Sequence, residues 1–137
     1  MHSALKVFFL MSGLYLASAL SSADLRAQEN IASIALRNGE SSELGSVWYV
    51  TNCRSIVIGL PEVEILEGPP GLTLSIKEAM VLPRRLNCAK EVPGGILVAT
   101  AKDVTEPVQG KLVYRIKYKT KDGDRQRANT YNVSLFP

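Results

Sequence analysis

Two runs of alternating apolar and polar residues lie at the C-terminal end of the chain, on either side of Asp122-Gly123. The first run, 111–120, has Leu, Tyr or Ile at every second position, and the second, 125–136, alternates in the same way from Tyr131 onward. Asp-Gly between two such runs favours a two-residue type I′ turn, because glycine and aspartate tolerate the positive φ angles that this turn requires. The pattern predicts an antiparallel hairpin that turns at Asp122-Gly123.

This turn position also predicts the register of the hairpin. Tyr114 would lie opposite Tyr131, and the apolar residues of both strands would share one face, as a half-buried antiparallel pair requires. The other predicted pairs are Leu112 with Val133, Ile116 with Asn129, Tyr118 with Arg127 and Lys121 with Asp124. A slip of one residue would send one apolar set to the opposite face, so the pattern disfavours it.

Short β-branched and aromatic runs continue through the rest of the chain, separated by glycine and proline. They predict strands near 43–51, 55–59, 61–67, 72–76 and 96–101, with 31–36 as a strand or one helical turn. Gly68-Pro-Pro-Gly71 and Pro93-Gly94-Gly95 have the composition of turns, and 78–86 that of an irregular connection or a short helix. The run at 61–67 begins at a proline, which is typical of an edge strand.

About seven short strands without a long amphipathic helix indicate an all-β fold. We expect a single antiparallel β-sandwich of the immunoglobulin or fibronectin-III kind, with one disulfide, over residues 24–137. Trp48 precedes both cysteines, so the Cys-Trp-Cys order of antibody domains is absent. The expected likeness is one of architecture, and no functional residues follow from it.

The first 23 residues have the layout of a secretory signal peptide. Lys6 precedes the apolar run 7–16, and small residues follow up to Ala23. We predict cleavage after Ala23, with Ala19 and Ala27 as alternatives. A membrane anchor is disfavoured because the run is about half of the roughly 20 residues that span a bilayer. We expect no transmembrane segment in residues 24–137 and an exported protein, with a bacterial periplasm favoured over a eukaryotic secretory route.

Cys53 and Cys88 both follow the predicted cleavage site. In an exported protein an isolated pair favours a disulfide, which would close a loop of about 36 residues and stabilise the fold by about 4 kcal/mol in the chain-entropy model. A reactive or metal-binding thiol pair is the alternative, and no Cys-x-x-Cys motif supports it. The only histidine, His2, lies in the predicted signal peptide. This argues against histidine-based catalytic triads and metal sites, and we expect no cofactor, metal site or catalytic residue.

Clustered positive charge marks the hairpin as a candidate partner-binding surface. Its residues are Arg115, Lys117, Lys119, Lys121, Arg125 and Arg127. Arg115, Lys117 and Lys119 alternate, so they emerge from one face and would attract a partner rich in carboxylates or phosphates. The alternative is a solvated face whose lysines prevent edge-to-edge aggregation. The whole-chain net charge is only +3, which argues against specific nucleic-acid binding.

Three smaller groups of residues have a chemical and a structural interpretation each. Glu62, Glu64 and Glu67 have the chemistry of an acid–base or Ca²⁺ site, but no Asp-rich loop accompanies them, so a solvated strand face is favoured. Contact between this strand and the basic one, within the domain or between two copies, is a further alternative. For Arg84-Arg85 an ordinary solvated loop is favoured over an exposed anion contact or a processing site. For Tyr114 and Tyr131 packing in the core is favoured over the lining of a pocket.

These observations favour a non-enzymatic exported binding module whose basic hairpin face contacts an acidic protein or an anionic envelope component. The turns at 69–71 and 93–95 are additional candidate recognition loops. The alternative is an assembly subunit of an envelope complex, using the C-terminal strand that ends at Phe136-Pro137 as an open edge. A histidine-free enzyme that uses the three glutamates ranks last.

Overall fold

The computed structural model describes residues 31–137, so the predicted signal peptide lies outside the described residues. Within this range nine strands and one 3₁₀ turn follow one another. They are β1 (Ala32–Arg37), β2 (Ser41–Val47), β3 (Val50–Thr51), β4 (Arg54–Ser55), β5 (Glu62–Glu67), β6 (Leu72–Val81), a 3₁₀ turn (Arg84–Leu86), β7 (Val92–Ala101), β8 (Val108–Thr120) and β9 (Gly123–Phe136). No helical segment in this range is long and apolar enough to cross a membrane.

The strands form a four-stranded sheet, a three-stranded sheet and a short two-stranded hairpin. Their orders are β1-β9-β8-β5, β2-β7-β6 and β3-β4. β1 pairs with β9 in parallel, and the other strand pairs are antiparallel. One cluster of buried side chains includes Leu112 and Leu135 of the larger sheet together with Leu97 and Ala99 of the smaller sheet. The all-β prediction is confirmed, and the two larger sheets share one core.

The predicted register of the C-terminal hairpin is wrong by two residues. Tyr114 pairs with Asn129, and Leu112 pairs with Tyr131. A shift of two residues leaves every side chain on its predicted face, because side chains in a strand alternate with a period of two. The apolar pattern therefore predicted the faces correctly but could not distinguish two registers of the same parity.

The cause lies in the turn, which is formed by Lys121 and Asp122. Gly123 follows it with φ of 106°, whereas Asp122 has no positive φ. This is the arrangement of a type I turn followed by a glycine bulge, a common alternative to the type I′ turn. Thr120 stabilises it, because its Oγ1 accepts a hydrogen bond from the Asp122 N–H at 3.2 Å and donates one to the Gly123 carbonyl at 2.5 Å.

Pro93-Gly94-Gly95, predicted to be a turn and a recognition loop, lies inside the central strand β7. A Cβ atom on Gly94 would overlap the carbonyl oxygen of Val47, and one on Gly95 would lie 2.5 Å from Cγ2 of Ile76. These glycines therefore allow β2 and β6 to approach β7 closely on its two sides. Glycine inside a strand commonly marks such a close approach.

Other boundaries also differ from the prediction. The run at 43–51 divides into β2 and β3, and the predicted strand at 55–59 contains only the end of β4 and an isolated bridge between Val57 and Thr120. β6 continues to Val81, into the segment predicted to be irregular. The first run, 31–36, forms a strand rather than a helical turn.

The predicted disulfide between Cys53 and Cys88 is present, with 5.5 Å between the Cα atoms. Cys53 lies in the turn between β3 and β4, where its φ is 59°. Cys88 follows the 3₁₀ turn and is buried. The bridge therefore fastens the small β3–β4 hairpin to the connection between β6 and β7.

Candidate binding surfaces

The acidic strand β5 lies directly beside the basic strand β8. Glu64 pairs with Arg115, and Glu62 pairs with Lys117. The Glu64 carboxylate lies 2.7 Å from Nη2 of Arg115 and 2.8 Å from Nζ of Lys117, and it accepts a further hydrogen bond from Nε of Arg115. Glu67 follows an irregularity in the pairing and lies opposite Val113. The structure therefore brings the two charged groups together within one sheet.

These contacts lower the pKa of Glu64 below its ordinary value. The hydrogen bond from Lys117 has the largest effect, and the hydrogen bond from Arg115 follows. A carboxyl group that acts as a general acid near neutral pH needs the opposite shift. Glu64 is instead an ionised partner of two cations. In residues 31–137 no group of three or more metal-binding side chains comes together.

The six predicted partner-binding residues do not share one surface. Arg115, Lys117 and Lys119 lie on the outer face of β8, whereas Arg125 and Arg127 lie on the opposite face, paired with Tyr118 and Ile116. Lys121 lies in the turn. Glu64 neutralises part of the outer row, through Arg115 and Lys117. Lys119, Lys121 and Arg125 form no salt bridge with any carboxylate of the described residues.

Two exposed apolar residues lie next to these cations. Ile58 and Leu60 are 58% and 48% exposed. Their segment follows the edge of β8 near the turn, where the Ile58 N–H donates to the Lys119 carbonyl at 2.7 Å and the Lys121 N–H donates to the Ile56 carbonyl at 3.2 Å. Both apolar residues line a concavity of about 480 Å³ with Lys119 and Arg125. We call Lys119, Lys121, Arg125, Ile58 and Leu60 the basic tip.

A larger concavity of about 610 Å³, the inter-sheet cleft, lies between β2, the β6–β7 region and the β8–β9 hairpin. Its lining includes Trp48, Met80, Arg84, Arg85, Glu91, Tyr114, Tyr118, Arg127, Asn129 and Tyr131. The Arg127 guanidinium lies 5.6 Å from the Trp48 ring centre and 5.0 Å from that of Tyr49. Sequence reasoning treated Arg84-Arg85 separately from the hairpin and assigned no role to Trp48. Only the packing of distant segments brings these residues together.

Tyrosines form the inner wall of the cleft. Tyr114 and Tyr131 stack with 6.1 Å between ring centres although they are not directly opposite, and Tyr118 packs on Tyr49 at 5.3 Å. The Tyr131 hydroxyl donates to the Leu44 carbonyl at 3.3 Å. The predicted pairing of Tyr118 with Arg127 is replaced by contacts of each residue with Tyr49. Burial raises the pKa of both Tyr114 and Tyr118.

The predicted open edge at Phe136-Pro137 is wrong for Phe136, because β1 covers that half of β9. Arg37 pairs with Phe136, and the Asn38 N–H donates to the Phe136 carbonyl at 2.7 Å. β1 pairs only with 131–136. Across the described residues, 123–130 have β8 on one side and no strand on the other. In the described part of the chain, the open edge of β9 is therefore its first half, at the basic end of the hairpin.

No protein-family model, curated protein or solved structure matches this chain. The functional interpretation therefore rests on the physical chemistry of the chain's own residues.

Proposed function

We propose that this chain is an exported, non-enzymatic binding module whose basic tip contacts an acidic protein or an anionic envelope component. One observation carries the proposal: Lys119, Lys121 and Arg125 form no salt bridge in the described part of the chain, and they lie beside exposed Ile58 and Leu60. Lys117, Lys119 and Arg125 outnumber the carboxylates of Glu62 and Asp124 that line the same concavity. This excess of positive charge attracts an anionic partner, and the adjacent apolar surface contributes contacts that are insensitive to salt.

Arg115 and Lys117 are expected to contribute less to binding than the sequence pattern predicts. Both side chains already contact Glu64, so an anionic ligand would have to compete with an intramolecular carboxylate. We therefore place the main contact at the tip, with Arg115 and Lys117 in a secondary role.

The architecture that we propose is an immunoglobulin-like sandwich. The order β2-β7-β6 corresponds to strands B, E and D of that fold, and β9-β8-β5 corresponds to strands G, F and C. A core shared by both sheets supports this arrangement. Two features depart from the constant-type pattern of that fold: β1 pairs with β9 instead of β2, and the disulfide does not join the second and sixth strands of the sandwich.

Export is proposed from the signal-like residues 1–23 and from the disulfide, which is typical of oxidising compartments such as a bacterial periplasm. The proposed partner is then another exported protein or an anionic component of the envelope.

The test is capture of partners from the native envelope fraction by the chain from Asp24 to Pro137, at low and at high salt. We expect Lys119→Glu with Lys121→Glu to abolish capture at low salt and to leave the melting temperature nearly unchanged, because both side chains are exposed. The matched control is Lys77→Glu with Lys102→Glu, which makes the same charge change on exposed residues outside the hairpin. Equal loss in both double variants, or no loss in the first, would contradict the proposal.

Glu64→Gln distinguishes the tip from the whole basic row. The substitution removes the negative charge shared by Arg115 and Lys117 while keeping a side chain of similar shape. We expect capture within about twofold of the unmodified chain if the tip dominates. Clearly stronger capture with a steeper salt dependence would assign binding to the entire row instead.

A further inference from the structure

The segment 123–130 of β9 contains the open edge and also contributes side chains to the inter-sheet cleft. Residues 123–130 pair with β8 on one side only, within the part of the chain that the structure describes. Backbone N–H and C=O groups along such an edge can pair with another extended chain, as in recognition by β-strand addition.

Side chains along this segment alternate between the two faces of the sheet. Arg127 and Asn129 line the inter-sheet cleft, and Tyr131 continues the same row to the point where β1 begins to pair. Adjacent strands in a sheet keep their side-chain faces in step. A strand added beside 123–130 would therefore direct every second side chain toward the cleft.

The charges of the cleft favour carboxylates on that added strand. Arg84 and Arg85 reach the cleft from the connection after β6, and Arg127 reaches it from β9. Among the described residues that line it, Glu91 is the only carboxylate. Guanidinium groups bind carboxylates in paired hydrogen bonds. Trp48 and Met80 add apolar surface to the same cleft.

A second copy of this chain fits the edge poorly. Two β9 edges related by a twofold axis would place the inward-facing residues of one copy beside those of the other, which brings Arg125 and Arg127 close to the same arginines of the partner copy. Like charges on neighbouring strand positions are destabilising. The observations thus favour a different, acidic partner.

We infer that the open edge of β9 binds an extended acidic segment of a partner protein. The segment pairs its backbone with 123–130 and directs alternate Asp or Glu side chains to Arg84, Arg85 and Arg127. The inference rests on the proposed binding function and adds the conformation and chemistry of the partner.

The probe is a blocked synthetic peptide of alternating Glu and Val, added to the chain from Asp24 to Pro137 at low salt. Trp48 is the only tryptophan in the sequence and lines the cleft, so its fluorescence reports binding there. We expect a saturable change in Trp48 emission and slower amide hydrogen exchange along 123–130. Arg84→Gln with Arg127→Gln should weaken binding at least about tenfold, because each substitution removes a charge-assisted hydrogen bond to a carboxylate of the peptide.

Control peptides distinguish the contribution of backbone hydrogen bonds from that of charge. Two peptides of the same sequence, one with N-methyl groups on every Glu and one with N-methyl groups on every Val, keep their carboxylates but each lose the hydrogen-bond donors of one edge. A Lys-Val peptide keeps the strand propensity but reverses the charge. We expect at least one N-methylated peptide, and the Lys-Val peptide, to lose binding. Binding of both N-methylated peptides as tight as that of the unmodified peptide would overturn strand pairing, and equal binding of the Lys-Val peptide would overturn the role of the arginines.

The basic-tip variant separates this inference from the proposed function. Lys119→Glu with Lys121→Glu should abolish capture of the envelope partner while the Glu-Val peptide still changes Trp48 emission. If the unmodified chain captures a partner through the tip and gives no peptide response, the proposed function stands and the inference is overturned. If it gives neither response, both are overturned.

Discussion

The two strands of the C-terminal hairpin have similar alternation in sequence and very different burial. β8 buries every second side chain from Leu112 to Thr120, all the way to the turn. β9 buries Val133 and Leu135, but its residues 123–129 are all exposed. β8 is therefore a core strand along this whole length, whereas β9 is buried only in its C-terminal half.

Neighbouring strands explain the difference. β8 lies between β9 and β5, and the segment at 56–58 extends this cover to the turn through hydrogen bonds with Lys119 and Lys121. Within residues 31–137, β9 has a second neighbouring strand only where β1 pairs with 131–136. This base of β9, 131–136, therefore has strands on both sides, whereas its tip, 123–130, pairs with β8 alone in the described part of the chain. The following predictions test this division, from the largest expected effect to the smallest.

Leu135→Ala should destabilise the protein by about 2–5 kcal/mol, since removing a fully buried leucine leaves a cavity where β1 and β8 flank β9. The matched control, Gln126→Ala in the exposed tip of the same strand, should change stability by no more than about 0.5 kcal/mol. Urea unfolding with the disulfide intact measures both. Similar losses for the two variants would show that the base and the tip contribute equally to stability.

Gly123→Ala should cost about 1–2 kcal/mol, because alanine is strained at the positive φ of 106° that follows the turn. The control is Gly110→Ala in β8, where no positive φ occurs and the added Cβ would lie 3.5 Å from Pro69, an ordinary contact. There we expect no loss, or a gain of about 0.4–1 kcal/mol from reduced entropy of the unfolded chain. Thermal unfolding of the two variants compares the same substitution at the turn and in the base. A neutral Gly123→Ala would contradict the positive φ observed at this position.

The sequence predicted those features that depend on local pattern and on simple counting. Alternation assigned the correct faces to β8 and β9, and the isolated cysteine pair predicted the bridge between Cys53 and Cys88. The turn position was less certain, because Asp122-Gly123 is compatible both with a type I′ turn and with a type I turn followed by a glycine bulge. Registers two residues apart have the same apolar match, so only the turn distinguishes them.

The features that it did not predict depend on contacts between distant segments. Pro93-Gly94-Gly95 has the composition of a turn, yet the need for glycine arises from Val47 and Ile76 on neighbouring strands. The same holds for the cleft, where Trp48 and Arg127 meet only after the two sheets have packed. The periodicity of apolar residues along the chain gives no information about contacts between such distant segments.

The smallest expected effect is the dependence of stability on pH. It tests whether water is excluded from the inner face of β8 as far as the turn. Burial raises the pKa of Tyr118 above its ordinary value of 10.0, partly opposed by the charge of Arg127. Burial likewise raises the pKa of Tyr114, partly opposed by a hydrogen bond with Asn129. Both phenols therefore lose their protons more readily in the unfolded chain than in the folded one.

The sign of the pH dependence follows from this order of deprotonation. The stabilising contribution is complete below the ordinary pKa of 10.0 and is lost as the pH rises through the higher pKa of the folded state. We expect urea stability to fall as the pH increases above that value, and to fall less in Tyr118→Phe, which keeps the ring packed on Tyr49 but has no phenol to ionise. Phenolate absorbance of the folded protein provides the second measurement, since Tyr118 should titrate late. The contrary result would be an equal loss of stability at high pH in Tyr118→Phe, together with ordinary titration of the phenols. Water would then reach the inner face of β8 near the turn as freely as it reaches the tip of β9, and the two strands would not differ in burial near the turn.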